Sequence, residues 1–539
     1  MRASAGLVAL CSLTTAVVGD NAAELWEAGC SAFTLQDSPG VAVAGTAYYP
    51  AGALVNITNA FSSISTDTLP AFCRVELLIT TNATSGKTAN TEVWLPDAWN
   101  GRFIGFGNGG WGGGVNVADL GFVAMNQGFA GMSTDTGHSS NALNGTWGGP
   151  HNDDAIIDWS WRALHLSVGA GKEVVQQYYS KPASKSYYLG CSTGGRQGLK
   201  SVQEFPEDFD GVVVGSPANW MSHLQPWSIH IDLNVLPAGS PQWISPELWT
   251  GIIHDEVLRQ CDNLDGVVDG IINNPLVCNF RPETLACRPG QNSSTCLNLA
   301  QIQALHQIYS TYYETNQTYI FAGYYPGGEQ GYPEGLLTPT IEQISQNYYQ
   351  YFILNDTTWD PTTLNYSIIQ AGDESPVDLN AIETNITAYA GPGHNGKIIH
   401  YVGWADQLIS PGNSLHYYET VHAYMQSATE LNIDDYYRLF TVPGMQHWSV
   451  NGYGANAFGG ASQAAGGTPP LSYDPVHNVV SAVVSWVEDG VAPDYFIAAY
   501  YQNNNQSQGV AFTRPLCKYP QNVVYAGGDV NQSTSFSCV

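Results

Sequence analysis

The chain has 539 residues and a formal net charge of -29, yet only 12% of its residues are charged, so the acidity reflects scarce Lys and Arg rather than acidic runs. Such a balance excludes nucleic acid as a partner, because that binding rests on phosphate neutralisation by basic side chains, and a weakly charged surface suits carbohydrate-rich or neutral aromatic material. The length exceeds one average domain and the hydrophobic share, 44%, is that of a globular protein, so one large domain with an insertion, or two domains, is expected.

The opening MRASAGLVALCSLTTAVVGDNA has one arginine, a short apolar run and small residues suited to cleavage before Asp20. This reads as a secretory signal over residues 1–19. No later stretch approaches the roughly 20 apolar residues of a membrane-spanning helix, so the mature chain is expected outside the cell, free of the membrane. Ten Asn-x-Ser/Thr sequons, at Asn56, Asn82, Asn144, Asn292, Asn316, Asn355, Asn365, Asn385, Asn505 and Asn531, fit that location as glycan acceptors. Nine cysteines follow the signal: Cys30, Cys73, Cys191, Cys261, Cys278, Cys287, Cys296, Cys517 and Cys538. In an oxidising compartment they should pair, and an odd number leaves one over.

From Cys73 to about Gly215 extended and helical segments alternate. VELLIT, TEVWLP, RFIGFGN, GFAGMSTD, SYYLG and GVVVGSP read as strands, and DDAIIDWSWRALHLSVGAGKEVVQQYYS carries apolar residues at helical spacing. The alternation marks an α/β sheet covered by helices. Between about Ala218 and Asn395 the rhythm breaks into Tyr-, Trp- and Pro-rich stretches with four cysteines and five of the sequons. GKIIHYVGWAD, YYRLFTVPG and the helix-like DPVHNVVSAVVSWVEDG then restore it. The expected organisation is a catalytic α/β domain over 20–217 and 396–539, interrupted by an insertion over 218–395.

Within the first half, YYLGCSTGGRQGL sets Ser192 in a Gly-x-Ser-x-Gly between a strand and a helix. That is the pattern of a nucleophile elbow, where glycines permit a strained turn and the next N–H helps bind an oxyanion. Asp406 follows the strand KIIHYVGW and His447 follows RLFTVPG, giving the chain order Ser, Asp, His of this architecture. A turn-capping aspartate and a packed loop histidine are the plain alternatives. Oxyanion donors would be the Thr193 N–H and the glycine-rich loop GFGNGGWGGG, at Gly109 or Gly110; no Lys-Ser/Thr follows these glycines, which weakens a phosphate-binding reading. In CDNLDGVVDGII, Asp262, Asp265 and Asp269 offer hard oxygen ligands suited to calcium, without the spacing of an EF-hand; a solvated acidic turn is the alternative.

GFGNGGWGGG, STDTGH, YYLGCSTGGRQGL with EFPEDFDGVVVGSPA, CDNLDGVVDGII, GWADQLISP and PGMQHW together resemble the tannase and feruloyl esterase family of secreted ester hydrolases, over nearly the whole mature chain. The resemblance implies an α/β-hydrolase fold with a large inserted lid, a triad of Ser192, Asp406 and His447, and a structural calcium in the lid. The carbonyls of Val267 and Ile271 would complete the calcium shell. In the family a disulfide joins the residue before the serine to the one after the histidine; here Cys191 is present but Trp448 follows His447. The other eight cysteines fall into local or family-like pairs, Cys30–Cys73, Cys261–Cys278, Cys287–Cys296 and Cys517–Cys538. Cys191 is then expected as a buried free thiol, with Trp448 helping to position the base.

The expected activity is serine ester hydrolysis on phenolic esters linked to plant cell-wall carbohydrate, by a monomer or homodimer, releasing ferulic or p-coumaric acid. Hydrolysis of galloyl esters is the close rival, and a non-catalytic secreted binding glycoprotein of the same fold the distant one.

Overall fold

A computed structural model describes residues 16–447 and 452–539. Most of the expected signal segment 1–19, and Trp448, lie outside the described residues. Short runs of β-branched and aromatic residues form a nine-stranded central sheet, whose strands are numbered in chain order. They are β1 (Val41–Tyr49), β2 (Phe72–Asn82), β3 (Lys87–Pro96), β4 (Arg102–Phe106), β5 (Ala130–Thr134), β6 (Lys185–Cys191), β7 (Gly211–Gly215), β8 (Lys397–Gly403) and β9 (Tyr437–Val442). Their spatial order is β1-β2-β3-β5-β4-β6-β7-β8-β9. The pairs from β1 to β5 are antiparallel, and those from β5 through β4 to β9 are parallel.

Parallel neighbours need crossover connections, which here are helices packed on both faces of the sheet. Period-two alternation assigns the side chains. Val212 and Val214 join one core with the helices Ala163–Tyr179, Thr193–Glu204 and Pro411–Ala428, while Val213 joins the opposite core with the helix Val479–Asp489. The helix expected over 153–180 is continuous from Asp153 to Tyr179, with a widened turn at Asp158–Arg162.

β7 and β8 are direct neighbours in the sheet, yet residues 216–396 separate them in the chain. None of that segment enters the central sheet. It packs a third core of its own, in which Trp227, Trp249, Tyr324 and Tyr349 meet Trp111 and Trp159 from the first half of the chain. This aromatic core faces the carboxyl ends of the parallel strands, where the loops after β4, β6, β8 and β9 gather.

Several strands lay outside the expected elements: β1, the pairs Val55–Thr58 with Ser63–Thr66 and Tyr312–Tyr313 with Tyr319–Phe321, a hairpin of Tyr495–Tyr501 with Val510–Cys517, and a short pair Val523–Tyr525 with Phe536–Cys538. Disulfides join Cys30 to Cys73, Cys261 to Cys278, Cys287 to Cys296 and Cys517 to Cys538. The first ties the helix Ala16–Ser31 to β2, and the last fastens the terminal strand to the hairpin. All ten sequon asparagines are exposed or half-exposed. No helix among the described residues is long and apolar enough to cross a membrane.

Candidate active site

Ser192 stands between β6 and the helix Thr193–Glu204, with φ 62° and ψ -122°. A non-glycine residue held there costs about 1–3 kcal/mol and persists only where its surroundings enforce it. The enforcement is visible: Ser192 N donates to Gly215 O at 2.9 Å, and Ser192 O accepts from Arg196 N and Ala218 N, both at 3.0 Å. The flanking glycines are required by space. A Cβ on Gly190 would lie 2.6 Å from the Gly194 backbone, and one on Gly194 would lie 2.9 Å from Asn108 O. Arg196, fully buried under the elbow, stacks 4.1 Å from the Trp159 ring and donates to Ser160 O, bracing the helix from below.

His447 and Asp406 are almost fully buried and meet through Nδ1 and Oδ2 at 2.8 Å. The second carboxylate oxygen, Oδ1, accepts from Leu408 N and Ile409 N at 2.9 and 2.8 Å, which fixes the carboxylate's orientation. Gln407 Oε1 accepts from His447 N at 2.9 Å, tying the loop after β8 to the loop after β9. An ionised Asp406 can only accept, so Nδ1 carries the proton of this contact. His447 and Ser192 line the same two cavities.

The glycine-rich loop lies against the elbow. Thr193 Oγ1 donates to Gly110 O at 3.0 Å, and Asn108 N donates to Gln197 Oε1 at 3.0 Å. Gly110 has φ +52°, and a Cβ there would lie 2.2 Å from Ala142 O, so no larger residue fits. Among the described residues the N–H groups of Gly109, Gly110 and Thr193 have no acceptor in the protein. Behind the loop, His138 Nε2 lies 2.9 Å from Trp111 O and its ring stacks on Trp147, which holds the loop's far end. Asn108 and Gln197 were not singled out from sequence; as a loop amide and a helix glutamine they carry no pattern of their own.

A cavity of about 780 Å³ opens over Ser192, walled by the glycine-rich loop, the residues around Tyr401 and Ser462, and the segment from Glu334 to Ile344. A narrower slot of about 60 Å³ leaves the same point between Trp111, Met221, Leu224, Leu336 and Ile409.

Cys191 is a free thiol, but it is not buried as expected: it is half-buried and lines the main cavity, because the strand delivers residues 190–192 together to the sheet edge. Burial first, then the nearby Asp406 charge, pushes its pKa up to about 12, and its Sγ lies 3.8 Å from His447 O. At neutral pH it is a thiol, not a thiolate.

The acidic turn after Cys261 lies apart from this cavity. Asp262 Oδ1 accepts from Asp269 N and Gly270 N, Asp265 Oδ1 accepts from Val267 N, and Asp269 Oδ2 pairs with Arg514 at 2.6 Å. Burial, with repulsion from Asp269 and Asp262, pushes the Asp265 carboxyl up to about 6. Among the described residues no three His, Cys, Asp or Glu side chains converge as a metal cluster. The donors present still fit a hard cation in kind, because three carboxylates lie within residues 262–269 and Arg514 pairs with Asp269 alone of the three.

A largely parallel sheet with helices on both faces, and a Ser turn, an Asp and a His at its carboxyl edge, is the architecture of an α/β-hydrolase. Comparison with known proteins narrows the class. The family model described as "Tannase and feruloyl esterase" matches residues 73–539. The chain is 36% identical over 513 residues to the "Probable feruloyl esterase B-2" of Aspergillus oryzae, covering 93% of each protein. It is also 36% identical over 547 residues to the protein of that name from Neosartorya fischeri, covering 99% of each. The crystal structure of feruloyl esterase B from Aspergillus oryzae superposes with a TM-score of 0.86 at 34% identity, covering 95% of this chain and all of that one. The chain belongs to the tannase and feruloyl esterase family and is a carboxylic ester hydrolase.

Proposed function

We propose that the chain is a secreted feruloyl esterase that works through an acyl-enzyme on Ser192. The observation that carries this reading is the Asp406–His447 bond together with a strained serine turn, with His447 and Ser192 lining one cavity. Ser192 Oγ attacks the ester carbonyl while His447 Nε2 takes its proton; the tetrahedral oxyanion is held by Thr193 N–H and by Gly109 or Gly110 N–H. His447 returns the proton to the leaving alcohol, and water then repeats the cycle to release the acid. The residues 218–395 act as the lid in this reading, which the lining of the cavity by Glu334 to Ile344 supports. Four disulfides and ten accessible sequons support an extracellular location.

The slot's walls, largely Trp, Met, Leu and Ile, favour methoxylated or singly hydroxylated rings over the three vicinal hydroxyls of a galloyl group. Hydrolysis of methyl ferulate, methyl p-coumarate, methyl caffeate and methyl gallate tests this directly. Hydroxycinnamates should exceed gallate by at least about tenfold in kcat/KM, the discrimination a mismatched pocket can supply. Selective cleavage of gallate would make the protein a tannase, and silence on all four would remove the phenolic reading.

In the same reading calcium braces the lid through Asp262, Asp265, Asp269 and the carbonyls of Val267 and Ile271, remote from the ester. A bound ion supplies charge neutralisation to the turn, and these residues only hold it. At free calcium of about a hundred times its Kd, binding should add about 2.7 kcal/mol of stability. Chelation should therefore lower the melting temperature, and calcium should restore it. A melting temperature indifferent to both, with no metal detected by elemental analysis, would rule calcium out.

A further inference from the structure

Glu342 has a position that the catalytic reading leaves unused. Among the described residues it is the one acidic residue that lines both the main cavity and the slot, which meet at Ser192, His447, Gly110, Ile344 and Leu408. Its backbone is pinned, since Glu342 N donates to Asp232 Oδ2 at 2.8 Å, and Asp232 is itself fully buried. Its carboxylate caps the short helix Gln343–Asn347: Oε2 accepts from Ser345 N at 2.7 Å, and the Ile344 N–H and the Ser345 hydroxyl also favour its charged form. Beyond these contacts Oε1 keeps acceptor capacity and is not sealed from solvent. Burial raises the carboxyl above its ordinary pKa, so a donor offered from within the cavity would be a favourable partner.

A carboxylate at the rim of an otherwise apolar slot is costly unless something donates to it. Among the slot's other polar groups, Gln225 Nε2 donates weakly to Met221 Sδ at 3.7 Å. Gln225 Oε1 accepts from Ser345 Oγ at 2.7 Å, and Ser228 Oγ donates to Leu224 O at 3.0 Å. Water donates to the Glu342 carboxylate in the empty cavity, and a bound substrate must supply a donor in the place of that water. In a phenolic ester the groups that can donate are the ring hydroxyls; a methoxyl group cannot.

We infer that Glu342 is a specificity-determining residue that accepts a hydrogen bond from a ring hydroxyl of the acyl group through Oε1, so that the enzyme reads a free phenol as well as an aromatic shape. This rests on the phenolic esterase reading above. A hydroxyl donating to an ionised acceptor contributes on the order of tenfold to a hundredfold in binding, which a ring lacking the hydroxyl forfeits.

Glu342→Gln isolates the role. The glutamine oxygen can keep the cap to Ser345 N, which turns the amide's donor end, rather than an acceptor, toward the cavity. Wild type and variant would be compared on methyl p-coumarate and on methyl 4-methoxycinnamate, which differ in the para hydroxyl alone. The wild type should favour p-coumarate by about ten- to a hundredfold in kcat/KM, chiefly through KM, and the variant should lose most of that ratio. The ratio is internal to each protein, so partial unfolding scales both substrates alike and drops out. An unchanged ratio in the variant, or a wild type indifferent to the hydroxyl while hydrolysing both esters, overturns the role of Glu342 and leaves the feruloyl esterase reading standing. A wild type inactive on both esters overturns the two together.

Discussion

Ser192→Ala should lose on the order of 10⁵- to 10⁶-fold in kcat on any ester the wild type turns over, the scale on which removal of a serine nucleophile acts. The loss is that of a bond-forming atom, so KM should move far less than kcat. The fold should survive. Alanine at φ 62° meets the same steric demand as serine, and the turn is held by backbone bonds to Gly215, Arg196 and Ala218 that need no side chain. A fluorophosphonate probe gives an independent reading: the intact wild type should gain the mass of one phosphonyl group and the variant none. If the variant retained more than about 1% of wild-type kcat, well above the expected residue, Ser192 would not be the nucleophile.

The candidate site was legible in the sequence because each of its parts follows a strand that declares itself. SYYLG, KIIHYVG and YRLFTV are short β-branched and aromatic runs, so Ser192, Asp406 and His447 could each be set at a strand's carboxyl end. The glycines at 190 and 194 carry a message of their own, since a side chain at either would strike backbone. What stayed hidden depends on contacts between distant segments. β1, VAVAGTAYY, is an edge strand rich in small residues with a register shift between Val43 and Gly45, and its pattern is weak without its partner. Glu342 lies in an irregular stretch with no motif and becomes notable only when the insertion folds over the elbow. Cys191 was legible as unpaired, whereas its exposure to the cavity depends on how the loops around it close.

Asp406→Asn should lower kcat by about 10⁴-fold while leaving the site's shape intact, the effect known when a triad aspartate becomes asparagine. The reason lies in the direction of each hydrogen bond. Oδ1 of Asp406 accepts from Leu408 N and Ile409 N, and these two donors require an oxygen at that place. An asparagine must therefore turn its oxygen toward them and its NH₂ toward His447 Nδ1. Two donors cannot share that 2.8 Å contact, so the imidazole moves its proton to Nε2 and presents Nδ1 as the acceptor. Nε2, now protonated, can no longer take the proton of Ser192. The loss should appear in kcat for every ester alike, and the hydroxyl preference set at Glu342 should persist in the residual activity, since the wrong tautomer disables the base without altering the slot. A fall of less than about tenfold would mean that Asp406 serves only to shape the turn before Leu408, and that His447 takes its tautomer from elsewhere.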